Sequence, residues 1–145
     1  QGMEVGLTGK LTEALSISSG MAILDTRITQ SDTPAEVGQP FPNTAEKSAN
    51  VQTRYQLNDQ WVFGATATYK GEIFGGSPNG PVTGNSIESS TVYDLMAEYK
   101  FDFDKLVLKA NLSNVTNKLY ADQLYPAHYI PGAGRMLQVT ASLKF

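Results

Sequence analysis

Cysteine is absent from these 145 residues, which excludes a disulfide framework, a thiolate metal site and a cysteine nucleophile. Histidine occurs once, at His128, so no set of imidazoles can gather a metal ion. Charge is sparse: charged residues make up 17% of the chain and the net charge is −3. Lysine and arginine are too thinly spread for a nucleic-acid footprint. No apolar run approaches the roughly 18 residues that suggest a membrane-spanning helix. The chain starts at Gln1 with no basic segment and no apolar stretch behind it. A leader is therefore expected to have been cleaved or to lie upstream. No nucleophile elbow, phosphate-binding loop or zinc motif occurs, and no enzyme is expected. Mean hydropathy is slightly negative, but that does not exclude a membrane barrel, in which only alternate residues meet lipid.

What is present is an alternation of period two. It runs through seven stretches of about 10 residues, the length a tilted membrane strand needs: 2–11, 15–24, 49–57, 61–70, 93–101, 106–112 and 136–145. Tight turns at 12–14, 58–60 and 102–104 alternate with long connections at 25–48, 71–92 and 113–135. The long ones hold most of the proline and much of the glycine, as in SPNGPVTGN at 77–85, which suits irregular loops. Long loops at one end and short turns at the other are the asymmetry of outer-membrane barrels.

Sorted by parity, one face carries Met3, Val5, Leu7; Leu15, Ile17, Met21, Ile23; Val51, Tyr55; Trp61, Phe63, Ala65, Tyr69; Tyr93, Leu95, Ala97, Tyr99, Phe101; Leu106, Leu108, Leu112; and Leu137, Val139, Leu143 and Phe145, among others. None of its positions is charged. The other face holds Glu4, Lys10, Arg54, Lys70, Asp94, Glu98, Lys100, Lys109 and Lys144 with many Ser, Thr, Gln and Gly. Parity alone leaves open whether the apolar face meets lipid or a protein core, because a soluble one-sided sheet alternates in the same way. Two features favour lipid. Tyr55, Trp61, Phe63, Tyr99, Phe101 and Phe145 gather beside the short turns, and Tyr69 and Tyr93 at the far ends, as in the two aromatic girdles of a membrane barrel. The polar face also suits a hydrated lumen.

A sheet that spans a bilayer must close, since an open edge leaves backbone groups unpaired in hydrocarbon. Seven strands do not make a familiar bacterial barrel. The expected fold is therefore all-β, a transmembrane antiparallel β-barrel of which this chain supplies about seven strands, the C-terminal ones by the resemblance that follows.

Family-specific residues lie mainly in the last third. NLSNVTNKLY at 111–120, followed by YPAHYIPGAGRMLQVTASLKF at 125–145 with Pro131, Gly132, Arg135 and Phe145, resembles the barrel ending of TonB-dependent siderophore receptors. VYDLMAEYKF at 92–101 and GLTGKLTEALSISSGMAILDTRI at 6–28 resemble upstream strands and hairpins of the same family, with Thr26 in place of its usual small residue. FPNTAEKSANVQTRYQL at 41–57 fits the Pro-Asn loop and strand that follow.

The resemblance implies a barrel of about 22 strands with a plugged lumen, and TonB-energised uptake of a ferric siderophore across an outer membrane. Neither the plug domain nor the Ton box is expected within residues 1–145. No cofactor is implied; the ferric siderophore is the transported ligand. TonB–ExbB–ExbD, outer-membrane lipid, lipopolysaccharide and the barrel-assembly machinery are the implied partners. The alternatives are a passive porin-type channel and a soluble ligand-binding β-barrel.

Several residues invite a chemical role. Tyr120, Tyr125, His128 and Tyr129 share one long loop, where aromatic surface can meet a ferric chelate or simply order the loop. Arg27 and Arg135, at the predicted rim, can attract an anionic chelate or join rim salt bridges. Leu143 and Phe145 resemble the terminal signal read during barrel assembly, and Phe145 serves equally as a girdle residue. Asp94 and Glu98, four apart on one strand, fall about 13 Å from one another. That is too far for a tight acid/base pair, and Lys100 and Lys109 could neutralise them; lumen electrostatics is the better reading.

Overall fold

A computed structural model describes residues 1–75, 86–101, 105–125 and 128–144, the side chain of Tyr125 excepted. Its strands in chain order are β1 (Gly2–Lys10), β2 (Leu15–Leu24), β3 (Lys47–Gln56), β4 (Trp61–Lys70), β5 (Ile73–Phe74), β6 (Ser86–Ile87), β7 (Ser90–Phe101), β8 (Leu106–Ser113), β9 (Ala121–Tyr125), β10 (His128–Pro131) and β11 (Met136–Leu143). The seven long ones form a single antiparallel sheet in the order β1-β2-β3-β4-β7-β8-β11. They coincide with the seven alternating stretches, two of them (β2 and β4) to the residue.

The ladders join the apolar stripe of each strand to that of the next. Val51 stands opposite Ser19 and Ala67, Ala65 opposite Leu95, Leu95 opposite Leu112, and Leu112 opposite Leu137. Directly opposed residues share a face, so the uncharged stripe is continuous across the sheet. A one-residue slip at any ladder would have broken it.

That stripe has no protein interior to enter. Leu7 is 59% exposed, Leu137 64% and Val139 63%, whereas the buried hydrophobic residues among those described are only Val62, Ile73 and Leu124. An exposed apolar band of this extent is out of place in water and is the outer surface of a membrane barrel. On the opposite face a cavity of about 780 Å³ is lined by Thr8 and Lys10 of β1, Gln52 and Arg54 of β3, Asp94 of β7, Lys109 of β8 and Gln138 of β11. Side chains from the first and last strands reach one space because the sheet curls toward its polar side. No helix is long and apolar enough to cross a membrane, which says nothing of a β-barrel.

The lower girdle is a contiguous aromatic cluster. Trp61 stacks on Phe63 at 5.5 Å, Trp61 meets Tyr99 at 4.7 Å, and Tyr99 packs edge-on against Phe101 at 4.4 Å. The short turns beside it are closed by side chains acting as acceptors. Thr12 Oγ1 accepts from Leu15 N at 3.0 Å, and Asn58 Oδ1 from Gln60 N at 3.0 Å and Trp61 N at 2.8 Å. The expected turn at 102–104, the SPNGPVTGN segment and Phe145 lie outside the described residues.

The long connections hold more structure than their composition suggested. The first contains a 3-10 turn at Pro34–Glu36, with Thr33 preceding it and proline in its first position, where a missing N–H costs nothing. The second contains the two-residue pair β5–β6, and the third a hairpin of β9 with β10. Two-residue strands leave no periodicity to read. The ladder of the third hairpin accommodates Pro131 by shifting register between Ile130 and Pro131.

Candidate ligand-binding loops

The third loop is built on Asn114. Its φ is +47° and it is 2% exposed. Its backbone N–H donates to Asp94 Oδ1 at 2.8 Å. Its Nδ2 donates to Lys118 O at 2.9 Å and Ala133 O at 3.0 Å, and its Oδ1 accepts from Lys118 N at 2.9 Å. One carboxamide thus fastens the loop's outgoing and returning arms to the end of β8. Asn117, at φ +51°, repeats the device one turn later by accepting from Arg135 N at 3.1 Å. Asparagine tolerates the left-handed region because its short side chain can bond nearby backbone.

Tyr120 follows directly. Its carbonyl accepts from Gly132 N at 2.8 Å, and its ring lies so close over Gly132 that a Cβ there would fall 2.1 Å from it. Glycine is required by that approach rather than by its backbone angle. His128 and Tyr129 lie exposed on β10, with Tyr129 59% exposed. Neighbouring strand residues point to opposite sides, so these two present different faces of the hairpin. Arg135 is exposed at its base, in no ion pair among the described residues. Of the loop residues singled out from sequence, Tyr120 is therefore packed inward, while His128, Tyr129 and Arg135 are available to solvent. The β9–β10 backbone places Tyr125 opposite His128. At the other end of the sheet, Leu143 closes β11 with its side chain exposed on the lipid face.

Arg27 is engaged at the rim. Its guanidinium reaches Asp25 at 2.9 Å and Glu46 at 3.8 Å and donates to Gly38 O at 3.3 Å. Two carboxylates cancel its attraction for an anion.

The two lumen carboxylates have separate partners. Lys109 is in no ion pair among the described residues. Glu98 pairs instead with Arg54 at 3.7 Å, two strands away, and Asp94 holds the Asn114 turn. On β4, between the two, Gly64 stands opposite Arg54 and Val62 opposite Glu98. Half-exposed Arg54 limits the pair to about 1 kcal/mol or less. Lys109 stands opposite Glu98 in the β7–β8 ladder, but a directly opposed position does not by itself bring a long side chain to its neighbour. Among the described residues no group of three or more His, Asp or Glu could hold a metal ion.

Thr26 stands where the family pattern has a small residue. Its hydroxyl is buried with no hydrogen-bond partner among the described residues, a cost that a small apolar residue would not carry.

Residues 1–115 match the sequence profile described as TonB dependent receptor-like, beta-barrel. The chain belongs to that family. It is 28% identical, over 99% of its own length, to a probable TonB-dependent siderophore receptor, PiuA, of Acinetobacter baumannii. It is 27% identical over its whole length to the metal-pseudopaline receptor CntO of Pseudomonas aeruginosa. The crystal structure of the A. baumannii siderophore receptor PiuA superposes with a TM-score of 0.86 over 99% of this chain and 21% of that one. The ferric-catecholate import receptor Fiu of E. coli K12 in its closed form also gives 0.86, at 25% identity, over 99% of this chain and 20% of that one. The chain spans about one fifth of the length of these relatives, 20% for both PiuA and CntO. It is a section of an outer-membrane barrel wall from a larger receptor barrel, in a family of receptors and transporters rather than enzymes.

Proposed function

We propose that this receptor barrel takes up a ferric siderophore across the outer membrane, with energy delivered by TonB. The carrying observation is the division of the sheet into an exposed uncharged face and a polar face that lines a cavity, with the three long connections at one end of its strands. Relatives whose names specify siderophore, ferric-catecholate and metal-pseudopaline receptors support the substrate class. In this reading residues 1–145 form the C-terminal part of the barrel, and the plug domain and Ton box belong to the remainder of the polypeptide. Tyr120, Tyr125, His128 and Tyr129 of the third loop are the candidate aryl and imidazole contacts to the chelate, with Arg135 as the accessible cation. TonB–ExbB–ExbD is the energy-supplying partner. Leu143 and Phe145 serve the barrel-assembly machinery, and lipopolysaccharide covers the outer rim.

The test loads radioactive iron(III) onto chelators recovered from iron-starved culture medium of the source bacterium. Uptake by cells with the complete receptor gene, by a deletion strain and by a strain lacking TonB is then compared. Uptake lost in both mutants supports the reading. Uptake that persists without TonB would favour a passive channel. A gene whose product leaves the membrane in a high-salt wash would contradict the barrel.

A further inference from the structure

We infer that Asn43 is a positioning residue for ligand capture: its carboxamide clamps the β9–β10 hairpin of the third loop onto the first loop, so that both present one surface. Asn43 Nδ2 donates to Leu124 O at 2.7 Å, and Asn43 Oδ1 accepts from Leu124 N at 2.8 Å, across 81 positions of sequence. Both polar atoms of one side chain therefore satisfy both backbone groups of one residue, as a neighbouring strand would. Its own backbone N–H donates to Phe74 O at 2.9 Å in the second loop, so one residue ties three loops together.

The geometry identifies which edge is clamped. Leu124 stands opposite Tyr129 in the hairpin, but its N–H and C=O both turn away from β10, toward Asn43. Two residues earlier, and so along the same edge, Asp122 O accepts from Lys70 Nζ at 2.7 Å. The free edge of the hairpin is thus held at two points, one from the first loop and one from the barrel wall. Leu124 is 9% exposed while Asn43 lies exposed, so the two bonds are partly sheltered from competing water.

The chemistry is specific to a carboxamide. Only a planar group with one donor face and one acceptor face fits a peptide's C=O and N–H together. Aspartate would set a carboxylate against Leu124 O. Asn43 also has φ +55°, a second and independent reason for asparagine there. Glycine separates the two, because it adopts that angle readily and has no carboxamide. The consequence for capture rests on the transport reading above; the clasp itself does not.

The experiment uses the full receptor with Asn43→Gly, Asn43→Asp and Asn43→Ala. Hydrogen exchange is followed over 121–125, and pulsed-EPR distances are taken between spin labels at Val37 and Ile130. Loss of two hydrogen bonds should speed exchange in this segment about tenfold or more and broaden the distance distribution, in the glycine variant as in the others. Half-saturation for the radio-iron chelate fraction should rise several-fold while maximal uptake stays within about twofold. A glycine variant that matches wild type in exchange and distance overturns the clasp and leaves only a backbone role. Loosened loops with unchanged half-saturation overturn the role in capture. If wild-type cells take up none of the chelate, the transport reading fails, and exchange and distance still decide the clasp.

Discussion

Replacing Ala97 by arginine tests the assignment of the apolar face to lipid. Ala97 lies in β7 between Phe63 and Ala110 of the neighbouring strands. It is four residues from Tyr93 at one girdle and four from Phe101 at the other, about 13 Å along the strand each way. With a strand tilt of about 40° the girdles stand roughly 20 Å apart across the bilayer, close to the usual apolar band. Ala97 is then near the midplane, where an arginine on the lipid face costs about 2–4 kcal/mol. That is a loss of roughly thirtyfold to a thousandfold in the folding constant. Gln52 provides the control at similar depth. It faces the polar side between Ser18 and Thr66 and lines the large cavity, so Gln52→Arg leaves its charge in water at a cost below about 1 kcal/mol. Urea unfolding of the complete receptor in phospholipid vesicles reads both values. Equal losses, or a larger loss at Gln52, would refute the lipid-facing assignment.

Three further substitutions probe single contacts. Thr26→Ala removes a buried hydroxyl without a partner and should leave stability unchanged or raise it by about 1 kcal/mol; a clear drop in unfolding midpoint would show that the hydroxyl is satisfied in the working receptor. Gly132→Ala drives a methyl into the Tyr120 ring and should displace it, speeding protease cleavage between 114 and 135 while the barrel's melting temperature stays within a few degrees; an unchanged cleavage rate contradicts the packing. Trp61→Ala dismantles the stacked contacts with Phe63 and Tyr99 and should cost about 3 kcal/mol, read as slower and less complete insertion into vesicles; insertion at the wild-type rate and yield argues against a membrane girdle.

The strands were legible because a single physical boundary is read many times over. Each residue pointing outward meets hydrocarbon, each residue pointing inward meets water, and the alternation repeats along every strand and again across every ladder. A boundary misplaced by two or three residues, as at Lys47 or Ser90, does not change the face of anything else. The aromatic cluster at Trp61, Tyr99 and Phe101 was legible for the same reason, since a girdle is a depth repeated on adjacent strands.

The loops obey no such repeated rule. Their order comes from single side chains meeting single backbone groups at large sequence separation: Asn43 with Leu124, Asn114 with Ala133, Lys70 with Asp122. Nothing in the local sequence fixes those partners. What local sequence does carry is a warning sign. Asn43, Asn114 and Asn117 are the non-glycine residues at positive φ among those described, and each lies in a Pro-Asn or Asn-Val-Thr-Asn context that marks a sharp turn. The partners of the lumen charges were illegible for a related cause. Lys109 stands opposite Glu98 in the ladder, but a long side chain answers to whatever surface is open around it. Arg54 has Gly64 as its ladder partner, yet it reaches Glu98 one strand further on. Register therefore follows from alternation alone, whereas the partner of a long lumen side chain is set only once the neighbouring strands are in place.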